Sequence, residues 1–103
     1  MQRPPKSENL HKVPPEPDKI LLCRLGEIIQ KRRQQFGFSQ EQLCVVTDMN
    51  RTYLSDIERG VSNPSFLVLW KLSVALKVEL WEILKELDPN KRQYAPEDED
   101  KSP

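Results

Sequence analysis

Two helix-start signals stand close together near the middle of the sequence, and they restrict the fold more than any bulk property. Ser39 is followed three residues later by Gln42, the pairing of a capping box in which each side chain covers the other's free backbone N–H. Asn50 is the second signal, a side chain suited to accept from the bare amides of a helix start. A helix opened at Ser39 runs through Leu43 and Cys44 to about Thr47, and the next opens after a turn of about three residues without proline. Two short helices joined so tightly must cross at a steep angle.

The surrounding pattern supplies the other helices. Leu21, Leu25, Ile28 and Ile29 recur at helical spacing, and Phe36 and Gly37 end that run. Leu54 and Ile57 give the third helix its buried stripe, and Gly60 stops it. Asp48, in the turn, tolerates a left-handed backbone better than most residues. Ser65 caps a fourth helix expected to reach about Lys77, and a short fifth covers Leu80 to Leu87. No segment alternates at period two for long enough to make a strand. The expected fold class is all-α: a five-helix bundle containing a helix-turn-helix.

Residues 1–19 hold Pro4, Pro5, Pro14, Pro15 and Pro17 and almost nothing apolar, so burial cannot offset their ordering entropy. They read as a flexible proline-rich arm, whose Arg3, Lys6, Lys12 and Lys19 suit a nucleic-acid backbone or plain solvation. Residues 89–103 carry Glu97, Asp98, Glu99 and Asp100 and read as a disordered acidic tail. The folded domain is expected over residues 20–88.

Formal net charge is zero, from 16 basic and 16 acidic residues, which argues against indiscriminate polyanion binding but permits a local basic patch. His11, Cys23 and Cys44 have no metal-ligand spacing. No metal or cofactor is expected, and both cysteines read as small buried hydrophobes. No paired carboxylates, nucleophile set or phosphate-cradling glycine loop points to an enzyme. No apolar run is long enough for a membrane span or a signal core, so a cytoplasmic protein is expected.

The third helix carries the chemistry. With Leu54 and Ile57 inward, Arg51, Thr52 and Ser55 share the opposite face of its first turns. In a helix-turn-helix that end of the second helix enters the DNA major groove. An arginine there donates twice to guanine O6 and N7, worth about 1–3 kcal/mol of discrimination. Threonine meets a thymine methyl or a base edge, and serine a base or phosphate. Alone, such a face suits mere solubility; the turn and the caps tip the reading toward double-stranded DNA.

Residues 25–84 resemble the Cro/phage-repressor-type domain, the XRE family with its lambda-repressor-like fold. The matching marks are SQEQL at 39–43, RTYLSDIERG at 51–60, NPS at 63–65 and LWKLSVALKV at 69–78. RTYLSDIERG followed by NPS is especially similar to the controller proteins of restriction–modification systems, small dimeric regulators of their own operon. The resemblance implies base-reading or adjoining backbone roles for Arg51, Thr52, Tyr53 and Ser55. It implies DNA-backbone contacts at Gln40 and Asn63, with Ser39 lending its backbone N–H and Asn50 grouped with them at the start of the reading helix. Arg33 and Glu58 match a partly buried ion pair joining the first helix to the third. Two positions depart from the family's pattern. Asp48 replaces the usual turn glycine, and Asp56 is either an acceptor for cytosine N4 or, the preferred reading, a solvated residue that disfavours wrong sites.

FLVLWKLSVAL at 66–76 is apolar nearly all round. Phe66, Leu69, Leu72 and Leu76 form the expected core stripe; Leu67, Val68, Trp70 and Val74 exceed it. A helix of this kind needs a second burial partner. A homodimer through the fourth and fifth helices is expected, with Leu67, Val74 and Trp81 as anchors. The competing reading has one tryptophan closing the monomer core. Val45 and Val46 are apolar on the outer side of the second helix and are a candidate contact for RNA polymerase. The function expected is a sequence-specific, homodimeric transcriptional regulator on a two-fold operator. The alternative is an antitoxin-like or other protein-interaction module using the same fold.

Overall fold

The computed structural model describes residues 18–88. Five helices follow in order: α1 (Asp18–Phe36), α2 (Gln40–Thr47), α3 (Arg51–Glu58), α4 (Phe66–Ala75) and α5 (Leu80–Leu87). No strand occurs among the described residues. The expected arm at 1–17 and tail at 89–103 lie outside them. Asp18 and Lys19, assigned above to the arm, already belong to α1; extending an existing helix costs far less than nucleating one.

Each start signal is realised. Ser39 Oγ accepts from Gln42 N at 3.1 Å while Ser39 N donates to Gln42 Oε1 at 2.8 Å. Asn50 Oδ1 accepts from Thr52 N and Tyr53 N at 2.7 and 3.2 Å. Ser65 Oγ accepts from Val68 N at 3.2 Å. The turn after α2 closes with Asp48 in the left-handed region at φ 55°, ψ 42°. From α4, Lys71 Nζ donates to Thr47 O at 3.3 Å, placing a cation on the free carbonyls and negative dipole end of α2.

The core draws on every helix. Ile29, Leu43, Leu54, Ile57, Leu72 and Ile83 are fully buried, each worth about 1.5–3 kcal/mol of transfer from water. α1 packs on α3 and α5, α2 on α3 and α4, and α4 on α5. Gly26 makes the α1–α3 contact possible: a Cβ there would lie 2.4 Å from the carbonyl oxygens of both Ile57 and Glu58.

Three burial expectations are corrected. Phe66, assigned to the core stripe, is 65% exposed; as the first residue of α4 it lies at the helix end. Leu69 only packs against the core from a half-buried position, and Ser73 is the buried residue beside Leu72. Cys23 is exposed and Cys44 buried. Two residues before Leu25, Cys23 is turned roughly 200° from the inward stripe of α1. Neither Trp70 nor Trp81 closes the core, since they are 53% and 57% exposed.

Candidate nucleic-acid interface

The first turn of α3 is open to solvent. Arg51 and Thr52 are exposed, Tyr53 and Ser55 half-buried, and Leu54 and Ile57 behind them fully buried. The face expected to read bases is therefore uncovered in the described residues. Asp56 is held by an ion pair to Arg59, so it offers its carboxylate less freely than a solvated residue would.

Beneath this face lies a buried ion pair. Arg33 Nε and Nη2 donate to Glu58 Oε2 and Oε1 at 2.6 and 3.0 Å, and Arg33 Nη1 donates to Phe38 O at 2.8 Å. Both partners are nearly sealed from water, at 9% and 2% side-chain exposure. The two-toothed geometry and the third donor bond offset the desolvation of both charges. The pair joins α1 to α3, the link that the family resemblance implied.

Gln40 extends that pair to the surface. Its Nε2 donates to Glu58 Oε1 at 2.9 Å, and its Oε1 accepts from Arg51 Nε at 3.2 Å. The chain of contacts thus runs Arg33, Glu58, Gln40, Arg51. Sequence reasoning gave Gln40 to a phosphate and missed this bridge. Residues 40, 51 and 58 are far apart in sequence, and only the crossing of α2 and α3 brings them together. Glu41 completes the surroundings of Arg51, with Oε2 lying 3.5 Å from Arg51 Nη1.

The backbone donors also differ from expectation. The N–H of Ser39, assigned to a phosphate, is already donated to Gln42 Oε1. Among the described residues the amides of Gln40 and Glu41 have no acceptor, and they are the groups at the α2 start suited to an anion. Asn50 uses its Oδ1 as the α3 cap, and its Nδ2 has no acceptor among the described residues. Asn63 is exposed in the loop after α3. Cys44 lies behind the site; burial pushes its thiol above the ordinary value, with the charge of Arg51 opposing.

The apolar surface is divided. Leu67 and Val74, at 71% and 60% exposed, lie on the outside of α4 with Phe66 and Trp70. Val74 and Trp70 line a groove with Phe36, Phe38 and Val46. Trp81 lines a separate groove with Arg32, Lys85 and Glu86, and Lys85 Nζ stands 5.4 Å over its ring. The three expected dimer anchors are all exposed, but Val74 and Trp81 do not share a groove. Among the described residues no helix is long and apolar enough to cross a membrane, and no group of His, Cys, Asp and Glu is placed to hold a metal ion.

Two short packed helices joined by three residues, with an open polar start on the second, have the layout of a helix-turn-helix, and a helix-turn-helix family profile matches residues 29–83, just over half of the chain. The chain belongs to the HTH_3 helix-turn-helix family. Its relatives there include the transcriptional regulator SlrR of Bacillus subtilis strain 168, 47% identical over 60 residues that make up 57% of this chain and 40% of SlrR. The chain therefore spans less than half of that regulator. The control protein C.MunI of Mycoplasma is 35% identical over 69 residues, covering 66% of this chain and 93% of C.MunI. Among solved structures, the restriction–modification controller C.Esp1396I, crystallised as a tetramer with its natural 35 base-pair operator, superposes with a TM-score of 0.58 at 32% identity. That match covers 65% of this chain and 93% of the controller.

Proposed function

We propose that this chain is a sequence-specific DNA-binding transcriptional regulator that acts as a homodimer on a two-fold operator. Within that class it serves as the autoregulatory controller of a restriction–modification operon. The observation that carries the reading is the uncovered start of α3, where Arg51 and Thr52 are exposed and Arg51 is tied through Gln40 to the buried Arg33–Glu58 pair. A guanidinium fixed in this way loses less freedom on meeting a guanine edge than a loose one. The near full-length match to C.MunI supports the controller subtype, as does the operator-bound form of C.Esp1396I.

In this reading Arg51, Thr52, Tyr53 and Ser55 meet bases or the adjoining backbone. Gln40, Asn50 and Asn63 meet the backbone, with the free amides at the start of α2. Dimerisation sets two copies of α3 about 34 Å apart, one turn of duplex. Val45 and Val46, both exposed, are the surface for RNA polymerase. A cytoplasmic setting is part of the same proposal. The antitoxin-like alternative rests on the arm and the acidic tail, which lie outside the described residues, so the DNA-reading surface is preferred.

The test is selection of duplexes from a random pool with the full chain, followed by footprinting of wild type and Arg51→Ala. A two-fold pair of half-sites is expected, with discrimination relaxed at one base position per half-site in the variant. Recovery of no preferred sequence, or a footprint indifferent to Arg51→Ala, overturns the reading.

A further inference from the structure

We propose that Glu41 masks Arg51 in the free protein, standing in for the anion that DNA would supply, and so attenuates DNA binding. The inference rests on the DNA-reading function above and adds a device regulating that same surface.

Glu41 belongs to the first turn of α2, where the amides of Gln40 and Glu41 have no acceptor among the described residues. A carboxylate there lies at the positive end of the helix dipole. It also reaches the reading residue, with Oε2 3.5 Å from Arg51 Nη1. One side chain thus lies beside both electrostatic features that would attract DNA, a bare helix start and an arginine. The second contact of Arg51, from Nε to the Gln40 carboxamide, is neutral and leaves the terminal nitrogens for a base. The Glu41 carboxylate stands 3.5 Å from one of those terminal nitrogens, near enough for charge attraction.

The consequence follows from competition. Arg51 can give Nη1 to DNA only by leaving Glu41, and that loss is the same whatever the sequence of the duplex. Masking therefore lowers affinity for any duplex that Arg51 engages, whether at a base or at a phosphate. With side-chain exposures of 59% and 75%, the pair contributes little to folding, so it can be removed without unfolding the domain. In an autoregulated system such attenuation keeps the operator responsive to protein concentration instead of permanently filled.

The test measures binding of the full chain to two labelled duplexes, one recovered by selection with wild type and one a scramble of it. Wild type, Glu41→Gln, Arg51→Ala and the double variant are compared. Glu41→Gln should tighten the selected duplex by about 2–5-fold at low salt and the scramble by no more, the gain fading as salt screens the charges. In the Arg51→Ala background the same substitution should gain less than about 2-fold, because nothing remains to unmask. No gain from Glu41→Gln overturns the proposal. So does an equal gain in both backgrounds, which would make Glu41 a mere repellent of phosphate. A selection that recovers no sequence fails the DNA-reading function instead.

Discussion

The carboxamide of Gln40 donates to Glu58 from a distance of 2.9 Å and accepts from Arg51 with its oxygen. A buried charge pair and an exposed arginine are thereby one hydrogen-bonded unit. The unit's inner end ties α1 to α3, and its outer end holds the exposed Arg51 side chain proposed to meet DNA.

Breaking the inner end should unfold the protein more readily than any surface change. Glu58→Ala leaves Arg33 buried at 9% side-chain exposure with only Phe38 O as acceptor. Loss of one member of a buried pair costs about 3–5 kcal/mol. Urea unfolding of the full chain should show a midpoint lowered to match. An unfolding free energy within about 0.5 kcal/mol of wild type would mean that water reaches and solvates Arg33.

The outer end should show coupling. Gln40→Ala removes both the Glu58 bond and the Arg51 bond, so its effect on DNA binding should depend on whether Arg51 is present. A double-mutant cycle with Arg51→Ala is expected to give an interaction energy of about 0.5–3 kcal/mol. Additivity would return Gln40 to a role as an independent phosphate contact, which weakens all sites alike.

Most of this architecture was legible before the structure, because its signals are local. The Ser39–Gln42 box, the Asn50 cap and the Gly60 stop lie within a few residues of the elements that they bound: α2 opens after Ser39, α3 opens after Asn50, and α3 closes two residues before Gly60. The Arg33–Glu58 pair came from family resemblance alone; nothing in the spacing of residues 33 and 58 announces it. The Gln40 bridge and the Glu41 contact were illegible, since each depends on how α2 crosses α3. Phe66 misled for a related reason. Its helical register fits the core stripe, but at the first position of α4 it has no neighbouring element to cover it.

Two backbone positions make opposite demands on glycine. Lys77 holds φ at 55° after α4, with Val78 N donating to Ser73 O at 3.0 Å. This is a helix-end arrangement that favours glycine. Lys77→Gly should raise stability by about 0.5–1 kcal/mol, the relief of left-handed strain being partly offset by a freer unfolded chain. Gly26→Ala should instead lower it by about 3 kcal/mol or more, since its Cβ meets backbone oxygens at 2.4 Å. Thermal melts of both variants, moving in opposite directions, check the pair.

The cysteines should separate by reactivity. Cys23 is exposed, whereas Cys44 is buried and desolvation pushes its thiol above the ordinary value, which disfavours the reactive thiolate. Alkylation near neutral pH should label Cys23 alone until the protein unfolds. The sign for stability follows: a thiol with a raised folded pKa favours the native state fully below the ordinary value of 9.0. That contribution is lost as pH rises through the higher folded value. Equal labelling of both thiols in the native protein contradicts the burial of Cys44.

The apolar surface of α4 calls for a partner, and its extent indicates which substitution removes it. Phe66, Leu67, Trp70 and Val74 are each more than half exposed on one ten-residue helix, an unusual amount of oil to leave in water. Residues 67, 70 and 74 share a face by helical spacing. Trp81 lies in a different groove, with its ring under Lys85. If two copies meet through α4, a charge placed at Val74 is buried in the interface without a partner, and truncations at such centres alone cost 2 kcal/mol or more (about 30-fold). Val74→Glu should therefore sediment as a monomer at micromolar concentration while wild type sediments as a dimer, with helix content unchanged by circular dichroism. Trp81→Glu should weaken the dimer less. A larger effect at Trp81 than at Val74 would move the interface onto α5, and a monomeric wild type would remove the dimer altogether.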